Sequence, residues 1–237
     1  MHGLLLSSLL ALPAPASAAG AGAEFDARLF RPASFSGAVP SISGGEAVRS
    51  PRSDAANTRW GALAEELTQK HPEIPAAAVR KVFAYLQDNP VPNMRYAGII
   101  DMGKPSNEKR FYIISLADGG VESFLVAHGS GSGGGAEAER FSDKPRSHAT
   151  SLGIYVTGEE YEGKHGRSLK LEGKESSNDN AESRSVVMHG ADYVSDEVAS
   201  SGELGNSWGC PAVDHKYRDR IIDRLGGGGV LLIYSAG

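Results

Sequence analysis

The chain has 237 residues, 40% of them hydrophobic and 22% charged, which suits one globular domain with extensions or two small ones. Its net charge of −5 and pI near 5.8 lack the basic footprint of a nucleic-acid binder, so nucleic acid is not expected as a partner. Thirty glycines favour a turn-rich, strand-rich fold over a helical bundle.

Leu4 to Leu12 form an apolar core too short to span a bilayer, and Ala16-Ser17-Ala18 follows as a small-x-small cleavage pattern. Residues 1–18 therefore read as a secretory signal peptide, and the expected location is the periplasm, the cell wall or the exterior. No later apolar run approaches spanning length, so no stable membrane insertion is expected, and no cysteine follows the signal to carry a lipid anchor. Residues 19–57, rich in Ala, Ser, Gly and Pro, read as a flexible linker.

Trp60 to Lys70 and Pro75 to Gln87 show helical spacing, with Leu63 and Leu67 on one face and Val79, Val82, Phe83 and Leu86 on the other segment's face. Pro72 and Pro75 separate them, while Pro90 and Pro92 end the second, so residues 58–92 are expected to form a helical hairpin on the main domain. Residues 93–237 then turn to strand patterns. Strands are expected at Tyr96 to Asp101, Arg110 to Leu116, Val121 to Ala127 after an Asp118-Gly119 turn, Gly153 to Val156, Ser185 to His189 and Val230 to Tyr234. One helix is expected at Asp214 to Leu225, with Asp214 as N-cap and Gly226 closing it. The expected fold is mainly β with flanking helices: a mostly antiparallel sheet folded on itself, as a β-sandwich or partial barrel, preceded by a short helical segment. The Gly129 to Gly135 loop lacks the Gly-Lys-Ser/Thr ending of a phosphate loop, so nucleotide binding is discarded.

Cys210 is the sole cysteine, so it makes no internal disulfide. It is either a buried inert thiol or a free thiol with a task. It stands in Asn206-Ser207-Trp208-Gly209-Cys210-Pro211-Ala212, where glycine permits unusual backbone and close approach of a substrate. The helix expected just beyond would lower the thiol pKa through its N-terminal dipole. Val186-Val187-Met188-His189-Gly190 is an apolar strand ending in His-Gly, 21 residues before Cys210. An imidazole at a strand tip can take a thiol proton and return it to a leaving amine, and a Cys–His pair is the minimal activated nucleophile. The plain alternative for His189 is a strand-end histidine bonded to a loop.

His-Gly followed by Ser-x-Gly-Cys resembles the signature of the L,D-transpeptidase catalytic domain, the YkuD-like family. Thr150-Ser151-Leu152-Gly153-Ile154-Tyr155 is similar to that family's Thr-Pro-x-Gly-x-Phe/Tyr segment. The likeness is strongest to a branch of murein L,D-transpeptidase domains, through Phe141-Ser142, Ser151 to Tyr155, Tyr161 to Gly166 and Ser207 to Ala212, over about residues 95–235. Two positions depart from most members: Trp208 replaces a histidine before the Gly-Cys, and Ala212 replaces an arginine after it.

The resemblance implies a β-sandwich-like catalytic domain, needing no cofactor or metal, that acts on peptidoglycan stem peptides. It implies Cys210 as nucleophile, His189 as general base and the Gly190 carbonyl as its orienting group. Backbone N–H groups of Gly209 and Cys210 would serve the oxyanion, and Ser207 and Trp208 would line the cleft. From its own position His128, ending a strand as His189 does, is expected to line the cleft too, and Tyr155 and the loop residue His165 are further expected substrate contacts. The implied product is a 3→3 cross-link. A carboxypeptidase on the same site and a non-catalytic wall-binding module stand as alternatives. His128, His148, His165 and His215 show no His-x-Glu or His-x-x-x-His spacing for zinc. The oligomeric state is left open by the sequence.

Overall fold

The computed structural model describes residues 51–236, with side chains from Arg59 onward. The expected signal peptide and residues 19–50 of the expected linker lie outside the described residues. Helix α1 spans Pro51–Lys70, so it starts inside the stretch read as linker. Pro51 fits the first helical position, where a missing N–H costs nothing, and Asp54-Ala55-Ala56 sustains the helix.

Helix α2 (Ala76–Asp88) packs against α1 through Trp60 and Phe83, whose ring centroids lie 5.7 Å apart. The strands are β1 (Tyr96–Asp101), β2 (Phe111–Ser115), β3 (Val121–Phe124), β4 (Val126–Ala127), β5 (Gly153–Gly163), β6 (Gly166–Gly173), β7 (Val187–Gly190), β8 (Ala212–Val213) and β9 (Val230–Tyr234). Short α3 (Asp196–Ser200) precedes β8, and α4 (His215–Leu225) follows it. The strands join in one sheet of order β3-β2-β1-β9-β5-β6-β7-β8-β4. Its pairings are antiparallel except β1 with β9 and β7 with β8.

Central β1 and β9 are apolar on both faces because both faces are covered. Ala97, Ile99, Val230 and Leu232 pack under Val79, Val82, Phe83 and Leu86 of α2. Ile100, Leu231 and Ile233 face the other way, with Ile221, Ile222 and Leu225 of α4 and with Leu169, Met188 and Val213 from the far half of the sheet. The two halves therefore share one core, so the sheet is curled upon itself.

The curl is fixed covalently. The run expected as one strand from Val121 to Ala127 breaks at Leu125: β3 and β4 flank that single residue, yet they are the opposite edges of the sheet. Two edges joined by one residue lie within about 7 Å of each other, so the sheet closes almost into a barrel. Fully buried Arg110 clamps the seam. Its backbone N–H donates to Phe124 O at 3.1 Å. Its Nε and Nη2 donate to Val126 O at 3.1 and 3.0 Å, Nη1 to Lys104 O at 2.7 Å, and Nη2 to His128 Nδ1 at 2.9 Å. Burial lowers its pKa to about 10, against the pull of Asp101, so it stays charged at neutral pH.

Other departures are local. Strand β5, expected to end at Val156, runs on to Gly163 and pairs with β6, so Tyr161 to Gly166 forms the tip of a long hairpin. Strand β8 and α3 were too short to announce themselves by periodicity. The α4 cap is as read: Asp214 Oδ1 accepts from Lys216 N–H at 2.9 Å. Among the described residues no helix is long and apolar enough to cross a membrane.

Replacing Arg110 by Met should destabilise the domain by about 3–5 kcal/mol, because the freed carbonyls and Asp101 lose a buried charged partner. Urea unfolding of the purified protein measures it; a change under 1 kcal/mol, on the order of an exposed pair, would refute the clamp.

Candidate active site

Strand β7 carries the site. Its neighbour β8 runs parallel along one edge of the strand, with His189 opposite Ala212, which places the Ser207 to Cys210 loop beside the strand's start. The Cys210 thiol lies against that edge: Val187 N–H donates to Sγ at 3.4 Å, and the thiol donates to Ser185 O at 3.7 Å. Two residues along the same strand, His189 Nδ1 is 2.9 Å from Gly190 O. A carbonyl only accepts, so Nδ1 carries the proton and Nε2 is left as the basic nitrogen. Among the described residues no hydrogen bond joins Cys210 to His189, but both line one cavity of about 540 Å³.

Glycine at 209 is dictated by crowding. Its φ is +112°, and a Cβ there would lie 2.7 Å from Ala149 O and 2.9 Å from Arg184 Nη2. Gly129 faces the same junction, where a Cβ would collide with the His148 carbonyl and approach Gly209 Cα to 2.7 Å. Ser207 holds the loop's shape: its Oγ donates to Cys210 O at 2.6 Å and accepts from Gly209 N–H at 3.1 Å. Its backbone N–H donates to His128 O at 3.0 Å.

Several expectations are corrected. Gly209 N–H is spent on Ser207 Oγ and is not free for an oxyanion. Cys210 N–H, by contrast, has no acceptor among the described residues. His128 does not line the cavity: it is fully buried, accepts from Arg110 and faces Gly133 O at 3.3 Å through Nε2. Burial and the Arg110 charge lower its pKa to about 4, so it is a neutral structural link. Tyr155 is also fully buried, its hydroxyl 2.7 Å from Ser151 Oγ and bonded to Ser151 O at 2.9 Å, out of a substrate's reach. The helix dipole does not act on the thiol as expected, because β8 intervenes before α4 begins at His215 and the dipole fades within a turn.

Other expected residues do reach the cavity. His165, at the hairpin tip, stacks on His189 with centroids 4.3 Å apart. Trp208 is 74% exposed at the rim and stacks on His148 at 4.6 Å. Exposed His215 lies beside Asp192 at 3.3 Å and its ring covers Gly190, where any Cβ would strike it.

Arg184, Lys164, Tyr193 and Asn206 also line the cavity; Lys164 and Asn206 lie in the Tyr161 to Gly166 and Asn206 to Ala212 segments without an expected role, and Arg184 and Tyr193 carry no recognisable spacing. Arg184 is an interior guanidinium whose side chain is 4% exposed, paired with Asp143 at 3.0 Å. It donates to Ser142 O, Ser151 Oγ and Ala149 O at 3.0, 3.2 and 2.6 Å, tying the 142–151 segment beneath Gly209. The cavity lining includes Lys164 and Arg184 but no carboxylate, although the chain's net charge is −5. Among the described residues no three His, Cys, Asp or Glu side chains gather as metal ligands.

Desolvation governs both reactive groups. Burial pushes the Cys210 thiol above its ordinary range, against the Val187 N–H and the Arg184 and Lys164 charges. Burial also pushes the His189 imidazole below its ordinary value, against its bond to Gly190 and helped by His165, His215 and Lys164. Both shifts favour the uncharged form. The resting pair at neutral pH is thus thiol and neutral imidazole, suited to proton transfer as the sulfur attacks. Burial likewise raises the Tyr193 phenol to about 12, and Cys210 adds to that shift, so Tyr193 remains a proton donor.

Alkylation of Cys210 by iodoacetamide should therefore keep rising with pH through the ordinary thiol value of 9.0, since a raised pKa delays thiolate formation. A plateau reached near neutral pH would mean a preformed thiolate and contradict this electrostatic picture.

A family model described as the L,D-transpeptidase catalytic domain matches residues 69–234. No curated protein matches the sequence. Among solved structures, the chain is similar to an L,D-transpeptidase from Mycobacterium smegmatis, with 14% identity over 59% of this chain and 58% of that one, at TM-score 0.37. It is similar to an L,D-transpeptidase from Mycobacterium tuberculosis, with 12% identity over 59% and 57% of the two chains, at TM-score 0.35. A third, from Stackebrandtia nassauensis, shows 9% identity over 83% and 97%, at TM-score 0.34. The chain thus spans less than two thirds of the mycobacterial proteins' length. The family match takes in all nine strands of the curled sheet and more than two thirds of the sequence, and the chain belongs to the L,D-transpeptidase catalytic domain family.

Proposed function

We propose that this protein is an exported peptidoglycan L,D-transpeptidase, with Cys210 as nucleophile and His189 as general base. The observation that carries this reading is the shared cavity, in which the thiol and an imidazole with Nε2 left basic stand two residues apart along β7. As Sγ attacks the diamino-acid carbonyl of a tetrapeptide stem, His189 Nε2 takes the thiol proton. A C–S bond forms and the carbonyl π pair moves onto oxygen. Collapse of that oxyanion restores C=O, breaks the C–N bond, and expels the terminal D-Ala amine with the proton from His189. An acceptor amine then attacks the thioester carbonyl and gives a proton to His189, the C–S bond breaks, and His189 returns that proton to the departing sulfur, leaving a 3→3 cross-link and the resting thiol. The Gly190 carbonyl holds the ring in the required tautomer throughout.

Transfer to an amine, in preference to water, is supported by a second cavity of about 620 Å³. It shares Tyr161, Ser185 and Val187 with the first, and it is lined by Glu159, Glu172 and Glu182 against the single base Lys170. The thiol sits at the shared wall, since Ser185 and Val187 are its hydrogen-bond partners. Cationic groups on the first side suit a donor bearing carboxylates, and carboxylates on the second suit an incoming ammonium. Export through the residue 1–18 leader puts the enzyme with its substrate.

Muropeptide digests of cells with and without the protein test the reading. New 3→3 dimers, lost with Cys210→Ala by on the order of 10⁴-fold or more, are the expected result. Tripeptides without dimers would indicate a carboxypeptidase, and unchanged digests a wall-binding module. Glu182→Gln should lower the ratio of cross-linking to hydrolysis several-fold, roughly the effect of one lost charge pair at a partly screened site.

A further inference from the structure

An acyl-enzyme mechanism needs at least two donors aimed at the developing oxyanion, and the loop before Cys210 supplies fewer than its sequence promised. Gly209 N–H is bonded to Ser207 Oγ and Pro211 has no N–H, so of the two backbone donors expected there only Cys210 N–H is left. The missing donor has a counterpart in the same wall. Asn206 lines the cavity that holds Cys210 and His189, and its Nδ2 is shielded from solvent with no hydrogen-bond partner among the described residues. Buried polar atoms are satisfied in the great majority of native structures, so an orphan donor beside a nucleophile calls for an acceptor that arrives with the ligand.

The backbone around Asn206 is held firmly. Gly205 N–H donates to Tyr193 O at 3.2 Å, Ser207 N–H to His128 O at 3.0 Å, and Ser130 N–H to Ser207 O at 2.8 Å. Asn206 therefore stands between two anchored residues, and its freedom lies in the side chain. The terminal amide torsion is broad, so the NH₂ group can swing from its shielded position toward an oxygen bound in the cavity.

We propose that Asn206 is a catalytic residue whose side-chain amide donates to the carbonyl oxygen under attack, completing with Cys210 N–H the oxyanion site that Gly209 cannot supply. The inference rests on the acyl-enzyme reading given above. Nδ2 has no partner among the described residues of the free enzyme, and a donor aimed at the oxygen gains most as charge develops there, so its bond is expressed at the transition state.

The test compares two reactions of the same sulfur in the intact chain. Acylation by a penem β-lactam, followed by mass spectrometry, forms the C–S bond, opens the ring C–N bond and passes through an oxyanion. Alkylation by iodoacetamide displaces iodide from carbon and passes through none. Asn206→Ala should slow acylation by about a hundredfold while leaving alkylation within about twofold, because only the first reaction develops charge on a carbonyl oxygen. Asn206→Asp, the same size and so safe against misfolding, should slow acylation at least as much, since its carboxylate repels the oxyanion. Acylation of Asn206→Ala at the wild-type rate would overturn the assignment and leave the proposed function standing. Parallel loss of both reactions would also overturn it, by showing that Asn206 shapes the thiol itself. So would a loss that follows Tyr193→Phe and spares the Asn206 variants. A wild-type enzyme that alkylates yet is never acylated overturns the acyl-enzyme reading and this assignment with it.

Discussion

The seam at Leu125 is the constraint on which the rest of the structure depends. Strands at opposite edges of one sheet are joined there by a single residue, and the Arg110 guanidinium fills the junction with bonds to Val126 O and His128. A buried cation is costly unless its donors are used, and Arg110 uses them on the Val126 and Lys104 carbonyls and on His128. The closure continues directly into the site. The His128 side chain is fixed by Arg110, and its carbonyl accepts the Ser207 N–H. Barrel closure and cysteine-loop position are therefore parts of one hydrogen-bonded chain.

Above that foundation, three backbones meet within contact distance at Gly129, His148-Ala149 and Gly209. Arg184 locks the junction from below through Asp143 and the 142–151 carbonyls. The crowding gives the loop little room to relax, which is what a preorganised site requires. Arg184 also brings a guanidinium to the cysteine turn from underneath, close to Gly209.

Water exclusion sets the chemistry. The hairpin tip lays His165 over His189, and burial drives both the thiol and the imidazole toward neutrality. Lys164 and Arg184 oppose this for the sulfur, so they favour the thiolate as it develops. The Gly190 carbonyl fixes one imidazole nitrogen as donor, leaving Nε2 as the basic nitrogen.

Much of this was legible locally. Apolar runs with both faces covered marked β1, β2 and β9, turn residues marked the β2–β3 hairpin, and an Asp N-cap marked α4, because each depends on neighbours in the chain. The Cys210 and His189 segments were equally plain, since reactive residue types in glycine-bearing turns leave a local trace. Strand β8, two residues long, left none, and Leu125 looked like the middle of a strand because its break is imposed by edges that meet in space. The same limit misplaced His128 and Tyr155. Each resembles a cleft residue by position, yet one is consumed by Arg110 and the other by Ser151. The sequence by itself determined which atoms can react and most of the elements that carry them. Only the tertiary structure decided which donors are already spent, which cations lie under the sulfur and whether the thiol rests charged, because hydrogen-bond saturation and desolvation are properties of residues brought together from distant parts of the chain.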